Sequence, residues 1–409
     1  MIVNRYQVLP LEGLVNFKTG KLNSNAAKHD GVYPFFTCSQ ETYRTDTWSF
    51  DGEYVLLAGN NAAGIYPLKY FNGKFDAYQR TYAINTLNEK KLNTRYLYYA
   101  LRLQLELMKS ISTGVATKFL TLSLLNSTQV PVPRIPTQRK IAAILSAYDD
   151  LIENNQRRIK ILEEMAQNLY REWFVKFRFP GHENTRFVDS TLGRIPEGWQ
   201  LSLISDIAII HRGRSYKGTE LSDKEGKPFI NLKCIERDGG FRSSGLKRYT
   251  GVFQESQTVR AGEIVMAITD MTQERRIVAR AGRVSRLDAD FGVISMDLVR
   301  IASRGRISET FLYALLRWSG FADEVKQHAN GANVLHLLPD RINEYSFICP
   351  PAEIAELFGN NVLPILTLCE SLEQRNVVLR RTRDLLLPKL ISGEVDVSEL
   401  DITIPEEAA

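Results

Sequence analysis

The chain of 409 residues contains two copies of one sequence unit. When Gly114 is aligned with Gly331, the next twenty residues align without a gap. Two copies of one unit present two similar surfaces, which suits a partner with two similar sites. The identical pairs in this stretch are Gly114/Gly331, Leu120/Leu337, Asn126/Asn343 and Pro133/Pro350.

Three shorter matches occur in the same order and support the duplication. Each copy then ends in a long helical pattern. The matched stretches are 6–21 with 199–214, 52–55 with 262–265, and 96–98 with 311–313.

Length and composition predict a soluble protein of two or three domains. Hydrophobic residues make up 44% of the chain and charged residues 24%, as in globular proteins. We find no apolar run long enough to span a membrane and no secretory signal pattern. The four cysteines are scattered and without a CxxC pair, which favours reduced thiols in the cytoplasm and argues against a zinc site.

Charge is distributed unevenly. Lys and Arg outnumber Asp and Glu by 15 to 9 in residues 1–136 and by 22 to 19 in residues 195–350, whereas residues 351–409 carry 5 against 11. Sixteen of the 22 cations in 195–350 are Arg, whose planar fork suits phosphate and the guanine edge. Both globular parts therefore suit a nucleic acid, although ordinary surface charge is an alternative.

Local patterns predict an α+β fold in both copies, with strands that precede a helix and no regular βαβ alternation. An Asn cap opens the predicted helix of the first copy. The predicted strands are 53–58, 79–84, 263–268, 277–284 and 294–301, and the predicted helices are 93–110 and 308–327.

A heptad pattern begins after Pro136 and is sustained over about five repeats, which favours coiled-coil packing. About 36 residues would give a rod of about 50 Å. A polar residue in such a seam usually fixes its register. The seam residues are Ile141, Leu145, Tyr148, Ile152, Asn155, Ile159, Leu162, Ala166, Leu169 and Trp173.

A second long helix is predicted after Pro351, less regular, with Pro364 expected to kink or loosen it. The two helices either pack on their own domains or pair with each other, and antiparallel pairing would place the domains at opposite ends. The predicted seam is Phe358, Val362, Ile365, Leu368, Leu372, Asn376, Leu379 and Leu386.

These patterns divide the chain into five parts. The first domain (1–136) precedes a central helix (137–178), a linker with the second domain (179–350), a C-terminal helix (351–393) and a tail (394–409).

Motifs for catalysis are missing from the sequence. We find no GxxxxGK[ST], no GxGxxG, no Asn/Asp-Pro-Pro-aromatic loop, no nuclease carboxylate pattern and no HExxH. The sequence therefore predicts recognition or scaffolding rather than chemistry, and no metal site.

The amino-acid sequences of the two long helices are characteristic of one protein family. The first is PTQRKIAAILSAYDDLIENNQRRIKILEEMAQNLYREWFVKF, the second contains LRRTRDLLLPKLISGEVDV, and IPEGWQ precedes the second domain. With the duplication, these stretches resemble the specificity subunit of type I restriction–modification systems over about residues 1–396.

The resemblance implies a non-catalytic subunit with two target-recognition domains separated by two long antiparallel coiled-coil helices. Each domain would recognise one half of a bipartite, asymmetric double-stranded DNA target. Two modification subunits would bind S-adenosylmethionine and methylate adenine at N6, and restriction subunits would use ATP and Mg. This chain would bind no cofactor itself, and its expected location is the cytoplasm.

Candidate DNA-contacting residues come from four groups, each with a structural alternative. The first group is a Gly-cation pair after the first strand, which could instead be a turn with a solvated cation. The second is the polar loop before each long helix, which could instead be a connection that docks the helix. The third is an Arg cluster, which could instead be a solvated face, and the fourth is two Asn residues, which could instead be turn formers. The candidates are Gly20, Lys21, Arg212, Gly213 and Arg214; Thr113, Thr117, Lys118, Asn330, Asn333 and His336; Arg275, Arg276, Arg280 and Arg283; and Asn60 and Asn61.

Two other functions compete with this hypothesis. A cytosolic coiled-coil scaffold that binds only proteins would show weak DNA binding. A self-sufficient methyltransferase or nuclease is disfavoured by the missing motifs.

Overall fold

The computed structural model describes residues 5–61, 66–111, 118–191 and 193–404, with a few side chains left out. The chain forms two compact units: unit 1 is Met1–Asn154 with Arg375–Ala409, and unit 2 is Asn155–Gln374. Both divisions fall inside a long helix, so each unit contains a part of both long helices. The domain limits at 136, 178, 350 and 393 stay a prediction.

Unit 1 consists of a four-stranded antiparallel sheet, a three-stranded sheet and a covering helix. The four-stranded order is β2-β9-β5-β7, and the three-stranded order is β4-β3-β8. Its elements are β1 (Val8–Pro10), β2 (Val15–Thr19), β3 (Tyr33–Phe36), β4 (Thr42–Thr45), β5 (Glu53–Ala58), β6 (Asn60–Asn61), β7 (Leu68–Asn72), β8 (Asp76–Ala77), β9 (Thr81–Thr86), α1 (Thr94–Ile111), β10 (Lys118–Phe119), α2 (Leu122–Ser127) and β11 (Gln129–Pro131).

The first long helix, α3 (Ile135–Tyr170), ends in a π-helical turn over Arg171–Val175. The elements after it are β12 (Phe187–Ser190), β13 (Gly193–Pro196), β14 (Gln200–Leu203), α4 (Ile204–Ile207), β15 (Ala208–Arg212), β16 (Leu221–Ser222), β17 (Lys227–Ile230), β18 (Lys247–Tyr249), β19 (Thr258–Val259), β20 (Ile264–Ala267), β21 (Thr269–Asp270), β22 (Ala281–Arg283), β23 (Gly292–Ile294), β24 (Leu298–Ser303), α5 (Glu309–Trp318), α6 (Phe321–Val325), β25 (Leu335–His336), α7 (Pro339–Asn343), β26 (Ser346–Cys349) and α8 (Ala352–Ser392).

Unit 2 repeats the topology of unit 1. Its four-stranded sheet has the order β15-β24-β20-β22, and its second sheet the order β16-β18-β17-β23-β19. The second sheet of each unit contains one parallel pair of strands. The pair is β3 with β8 in unit 1 and β17 with β23 in unit 2. The side chain of Asn93 caps α1 and that of Ser308 caps α5, each accepting a hydrogen bond from a backbone N–H three residues on. The predicted α+β class with an internal repeat is confirmed.

The strand ladders give the register of the repeat. Val8 pairs with Pro131, and Leu201 pairs with Ile348, so Val8 corresponds to Leu201 at the first strand and Pro131 to Ile348 at the last. Both correspondences were predicted. The match of 52–55 with 262–265 aligns Val55 with Val265. This is wrong by one residue, because the strand ladders make Val55 equivalent to Ile264.

Three predicted elements of unit 2 differ from the structure. The predicted strand 294–301 is two strands, since residues 295–297 form a turn between β23 and β24. The predicted strand 277–284 shortens to β22 because residues before it belong to a loop. The predicted helix 308–327 breaks into α5 and α6 at Ser319 and Gly320.

The core of unit 1 contains residues of both long helices. Ile141 and Leu145 of α3 and Leu387 and Leu390 of α8 are buried in one cluster with Tyr96 of α1. Lys140 donates to the carbonyl oxygens of Ser398 and Leu400 at 2.7 and 2.8 Å. The two helices run antiparallel here, because Lys140 contacts Ser398, beyond the end of α8, whereas Asp149, later in α3, pairs with the earlier Arg383 of α8.

The core of unit 2 is built in the same way. Tyr170 and Trp173 lie against Phe358 of α8, with ring centroids 6.1 and 5.8 Å apart. The thiol of Cys369 lies 3.9 Å from the carbonyl oxygen of Ile159. The helices are again antiparallel, and they pack both on each other and on the domain, so the two alternatives for helix packing are not exclusive.

The seam on α8 agrees with the predicted one at Phe358, Val362, Leu372 and Asn376 and differs from it in the turn around Leu368. Leu366 and Cys369 are buried, whereas Leu368 is 38% exposed. The helix continues through Pro364 without a break. The predicted seam residues that are buried are Ile141, Leu145, Ile152, Asn155, Ala166, Trp173, Phe358, Val362, Leu372 and Asn376. Those that are partly buried are Tyr148, Ile159, Leu162, Leu169, Ile365, Leu379 and Leu386. Among the described residues, we find no helix long and apolar enough to cross a bilayer.

One ion pair in unit 1 has an apolar counterpart in unit 2. Arg383 of α8 pairs with Asp149 of α3, which also accepts a hydrogen bond from the Tyr99 hydroxyl at 2.7 Å. The alignment that matches Gly114 with Gly331 places Leu366 at the position of Asp149 and Ala166 at that of Arg383. Both counterparts are buried in the core of unit 2. A partly buried ion pair can often be replaced by apolar packing, but not by removing one partner.

We therefore expect Arg383→Ala to lower the free energy of unfolding by roughly 2–3 kcal/mol, because Asp149 loses its cation. The double variant Asp149→Leu, Arg383→Ala should recover at least half of that loss. Denaturant unfolding measures both, with the exposed Arg381→Ala as a control on the same helix that should change stability by less than about 0.5 kcal/mol. A double variant less stable than the single one would contradict this account.

Candidate nucleic-acid interface

Several predicted site residues of unit 1 lie at one end of its four-stranded sheet, which we call the central sheet. Thr19, the last residue of β2, pairs with Tyr82, and Ala58, the last residue of β5, pairs with Thr81. The segments that follow β2 and β5 therefore emerge at the same end of the sheet. They carry Gly20, Lys21, Asn60 and Asn61. We call this end the recognition edge of unit 1.

A short antiparallel strand pair, β6 with β10, adds the segment before the first long helix to this edge. Asn60 pairs with Phe119, and Asn61 with Lys118, through their backbones. The backbone N–H of Leu120 donates to the carbonyl oxygen of Gly59 at 2.9 Å. The Cys38 thiol lies 3.0 Å from Oδ1 of Asn60 and donates to it. Three separate candidate groups of the sequence thus come together.

Unit 2 has an equivalent recognition edge. Arg212 ends β15, and the antiparallel pair of β21 and β25 joins Thr269 to His336 and Asp270 to Leu335. The backbone N–H of Leu337 donates to the carbonyl oxygen of Ile268 at 2.8 Å, as Leu120 does in unit 1. The register makes Asn60 equivalent to Thr269 and Phe119 to His336. The backbone frame is shared, while the side chains on it differ.

The two candidate glycines have a structural role. A Cβ on Gly20 would lie 1.7 Å from the carbonyl oxygen of Ala77, and one on Gly213 would lie 2.0 Å from that of Ser295. Only glycine permits this close backbone approach. The cations beside them differ in exposure: Lys21 and Arg212 are exposed, and Arg214 is partly buried.

The structure divides the predicted Arg cluster of unit 2. Arg275 donates to Gln327 Oε1 at 3.0 Å and to the Ala329 carbonyl at 3.4 Å. Arg280 pairs with Asp323 at 3.0 Å, and Arg283 pairs with Glu370 of α8. Arg276 pairs with its neighbour Glu274 at 2.6 Å, and both side chains are more than half exposed. Arg276 is therefore the most accessible of the four.

Asp270 organises the loop that carries these arginines. Its side chain is buried and accepts hydrogen bonds from the backbone N–H groups of Thr272 (2.9 Å), Ile277 (2.8 Å) and Val278 (3.4 Å). Burial alone would raise the pKa of Asp270, but these hydrogen bonds hold it below its usual value. The carboxylate thus closes the loop over residues 271–277.

The remaining candidates are placed as follows. Asn330, Asn333 and His336 are exposed, and the backbones of Asn330 and His336 form an antiparallel bridge. Thr113 and Thr117 lie outside the described residues, and Asn61 and Lys118 are described by their backbones only. Contact of any candidate with DNA stays a prediction.

Sequence reasoning missed two residues of these edges. Arg80 lies with its guanidinium 5.7 Å from the centroid of the Phe119 ring, on the turn that enters β9. Asp270 lacked any motif that would distinguish it from a surface carboxylate. Asp270 could have been found only as the equivalent of Asn61 in the repeat. That equivalence depends on the register of β20, which the sequence match had wrong by one residue.

Known proteins are similar to this chain in sequence. Residues 4–164 match the family "Type I restriction modification DNA specificity domain". The chain is 28% identical over 328 residues to the type I restriction enzyme MjaIX specificity subunit of Methanocaldococcus jannaschii, covering 77% of this chain and 72% of that protein. It is 30% identical over 224 residues to the EcoDI specificity subunit of Escherichia coli, covering 50% of this chain and 49% of that protein.

A solved structure shares the fold. The S subunit of a type I restriction–modification system from M. genitalium superposes with a TM-score of 0.64 at 16% identity, covering 98% of this chain and 97% of that one. The relatives from M. jannaschii and E. coli are both named as specificity subunits of type I restriction enzymes. The first part of the chain thus matches the DNA specificity domain family, and the chain is similar to specificity subunits of type I restriction enzymes over much of its length.

Proposed function

We propose that the chain recognises a bipartite, asymmetric double-stranded DNA target, with one half-site for each unit. The observation that carries this proposal is the repeated recognition edge. The strand pairs at Asn60/Phe119 and Thr269/His336 are equivalent in register but present different side chains. Equivalent frames suit the same mode of docking on two half-sites, and different side chains suit different base sequences.

The exposed cations at these edges support a duplex as the ligand. Lys21 in unit 1 and Arg212 and Arg276 in unit 2 are accessible to phosphate or to base edges. Contacts of this kind make binding fall with rising salt concentration. A protein-binding scaffold would not need them at both edges.

We further propose that the chain recruits two modification subunits, together with restriction subunits. In this proposal S-adenosylmethionine is bound by the modification subunits, ATP and Mg by the restriction subunits, and the complex acts in the cytoplasm.

A repeated exposed stripe on the long helices supports recruitment of one partner in two copies. In unit 2, α3 exposes Arg158 and Ile161, and in unit 1, α8 exposes Arg375 and Val378 at the positions that the repeat makes equivalent. Ile161 is 56% exposed and Val378 63%. Exposed apolar side chains next to a cation suit an amphipathic, acidic helix of a partner.

Exchange of residues 195–350 for the equivalent domain of another specificity subunit tests the half-site assignment. We expect methylation mapping in cells that express the chimera with its partner subunits to show one half of a split adenine motif changed and the other half retained. The unaltered chain with the same partners is the control. A motif that changes in both halves, or in neither, would contradict one half-site per unit.

Charges placed in the stripes test the recruitment proposal. Ile161→Asp or Val378→Asp should each lower the number of bound modification subunits from two to one, and the double variant should bind none, because each charge would be buried unpaired. Native mass spectrometry measures the stoichiometry. The exposed Gln156→Asp serves as a control for added negative charge on α3. Two subunits on both single variants would argue against the stripes.

A further inference from the structure

Unit 2 contains a cleft. One wall of the cleft is a connection between strands that is longer in unit 2 than in unit 1. Residues 231–263 join β17 to β20, whereas the equivalent connection in unit 1 is residues 37–52, about half as long. The longer connection forms one wall of a cleft of about 550 Å³, and the loop closed by Asp270 forms the other. The cleft therefore belongs to what distinguishes the two units.

Successive side chains of the Asp270 loop alternate in direction: some contact the neighbouring segment 327–332, and the others line the cleft. Gln273 donates to the carbonyl oxygens of Gly331 (3.2 Å) and Ala332 (3.0 Å), and Arg275 donates to Gln327 and Ala329. These two side chains hold the loop against the neighbouring segment 327–332. The side chains between and beside them, Thr272, Glu274 and Arg276, line the cleft. The loop is thus fixed on one side and presents a row of polar groups on the other.

The groups in this row suit a particular base pair. An Arg fork donates two hydrogen bonds to O6 and N7 of guanine, and a carboxylate accepts from the N4 amino group of cytosine. Arg276 and Glu274 are two positions apart and face the same cleft, with side chains 53% and 62% exposed. An ion pair so exposed contributes little to stability, and its members can exchange it for base contacts. Within the part of the chain that the structure describes, we find no other polar partner of Arg276.

We propose that the cleft of unit 2 recognises a G·C pair in the half-site of that unit, with Arg276 on guanine and Glu274 on cytosine. Asp270, Gln273 and Arg275 act as positioning residues that hold the loop for this contact. The inference rests on the proposed function and adds the base pair and the residues that read it.

Competition binding tests this proposal on the full chain with its partner subunits. The target is first identified by methylation mapping, and each base pair of both half-sites is then replaced in turn. Arg276→Ala should lower the discrimination at one G·C pair of one half-site by about 5- to 150-fold and leave preferences in the other half-site unchanged. Arg276→Lys should lose most of the same discrimination, since an ammonium group has no fork.

Two further variants separate reading from positioning. Arg275→Ala should weaken discrimination at several base pairs of the same half-site, because the loop is no longer held. Arg178→Ala removes an exposed arginine of unit 2 that also pairs with a carboxylate, Glu172, and should change no preference.

The outcomes distinguish the two proposals. If the unaltered complex shows no sequence preference, the proposed function fails. If it prefers its target but Arg276→Ala keeps every preference, or weakens binding to all sequences equally, the reading of a G·C pair by this cleft fails while the proposed function stands.

Discussion

Antiparallel packing of the two long helices within each unit is the constraint on which the rest of the structure depends. In unit 1 the apolar core includes Leu145 of α3 and Leu387 of α8, which are far apart in the chain. In unit 2 Tyr170 of α3 lies with Phe358 of α8 in the same kind of core. Neither unit can bury its apolar surface without both helices, so domain and helix pair are expected to fold together.

This mode of packing leaves one end of each central sheet available. The helix that covers the sheet, α1 or α5, is held to the long helices by polar contacts such as Tyr99 with Asp149 and Arg317 with Glu163. The recognition edges lie where β5 and β20 end, and short strand pairs between distant segments form their backbone frame. Their side chains can differ between the units at little cost to stability, which is what two different half-sites require.

Much of the fold followed from the sequence because it depends on local patterns. The capping residues Asn93 and Ser308 and the starts of the long helices after Pro-rich segments are local signals. One turn of the α8 seam could not be predicted, because it depends on which residues of the domain pack against the helix. Leu366 is buried and Leu368 exposed for that reason.

The candidate site was predicted less completely, since its groups meet through pairings distant in sequence. Asn60 and Lys118 were separate candidates, and only the pairing of β6 with β10 brings their segments together. The arginines of unit 2 looked alike in sequence, and their different roles follow from partners such as Asp323 and Gln327, which lie in a later part of the chain. Spacing alone does not reveal such partners.

Photocrosslinking from the two equivalent edge positions tests the central claim most directly. A photoreactive phenylalanine analogue would replace Phe119 in one protein and His336 in another, and the crosslinked bases on a target duplex would be mapped. The account predicts that position 119 crosslinks to one half-site and position 336 to the other. Crosslinks from both positions to the same half-site, or from neither to DNA that the protein binds, would contradict it.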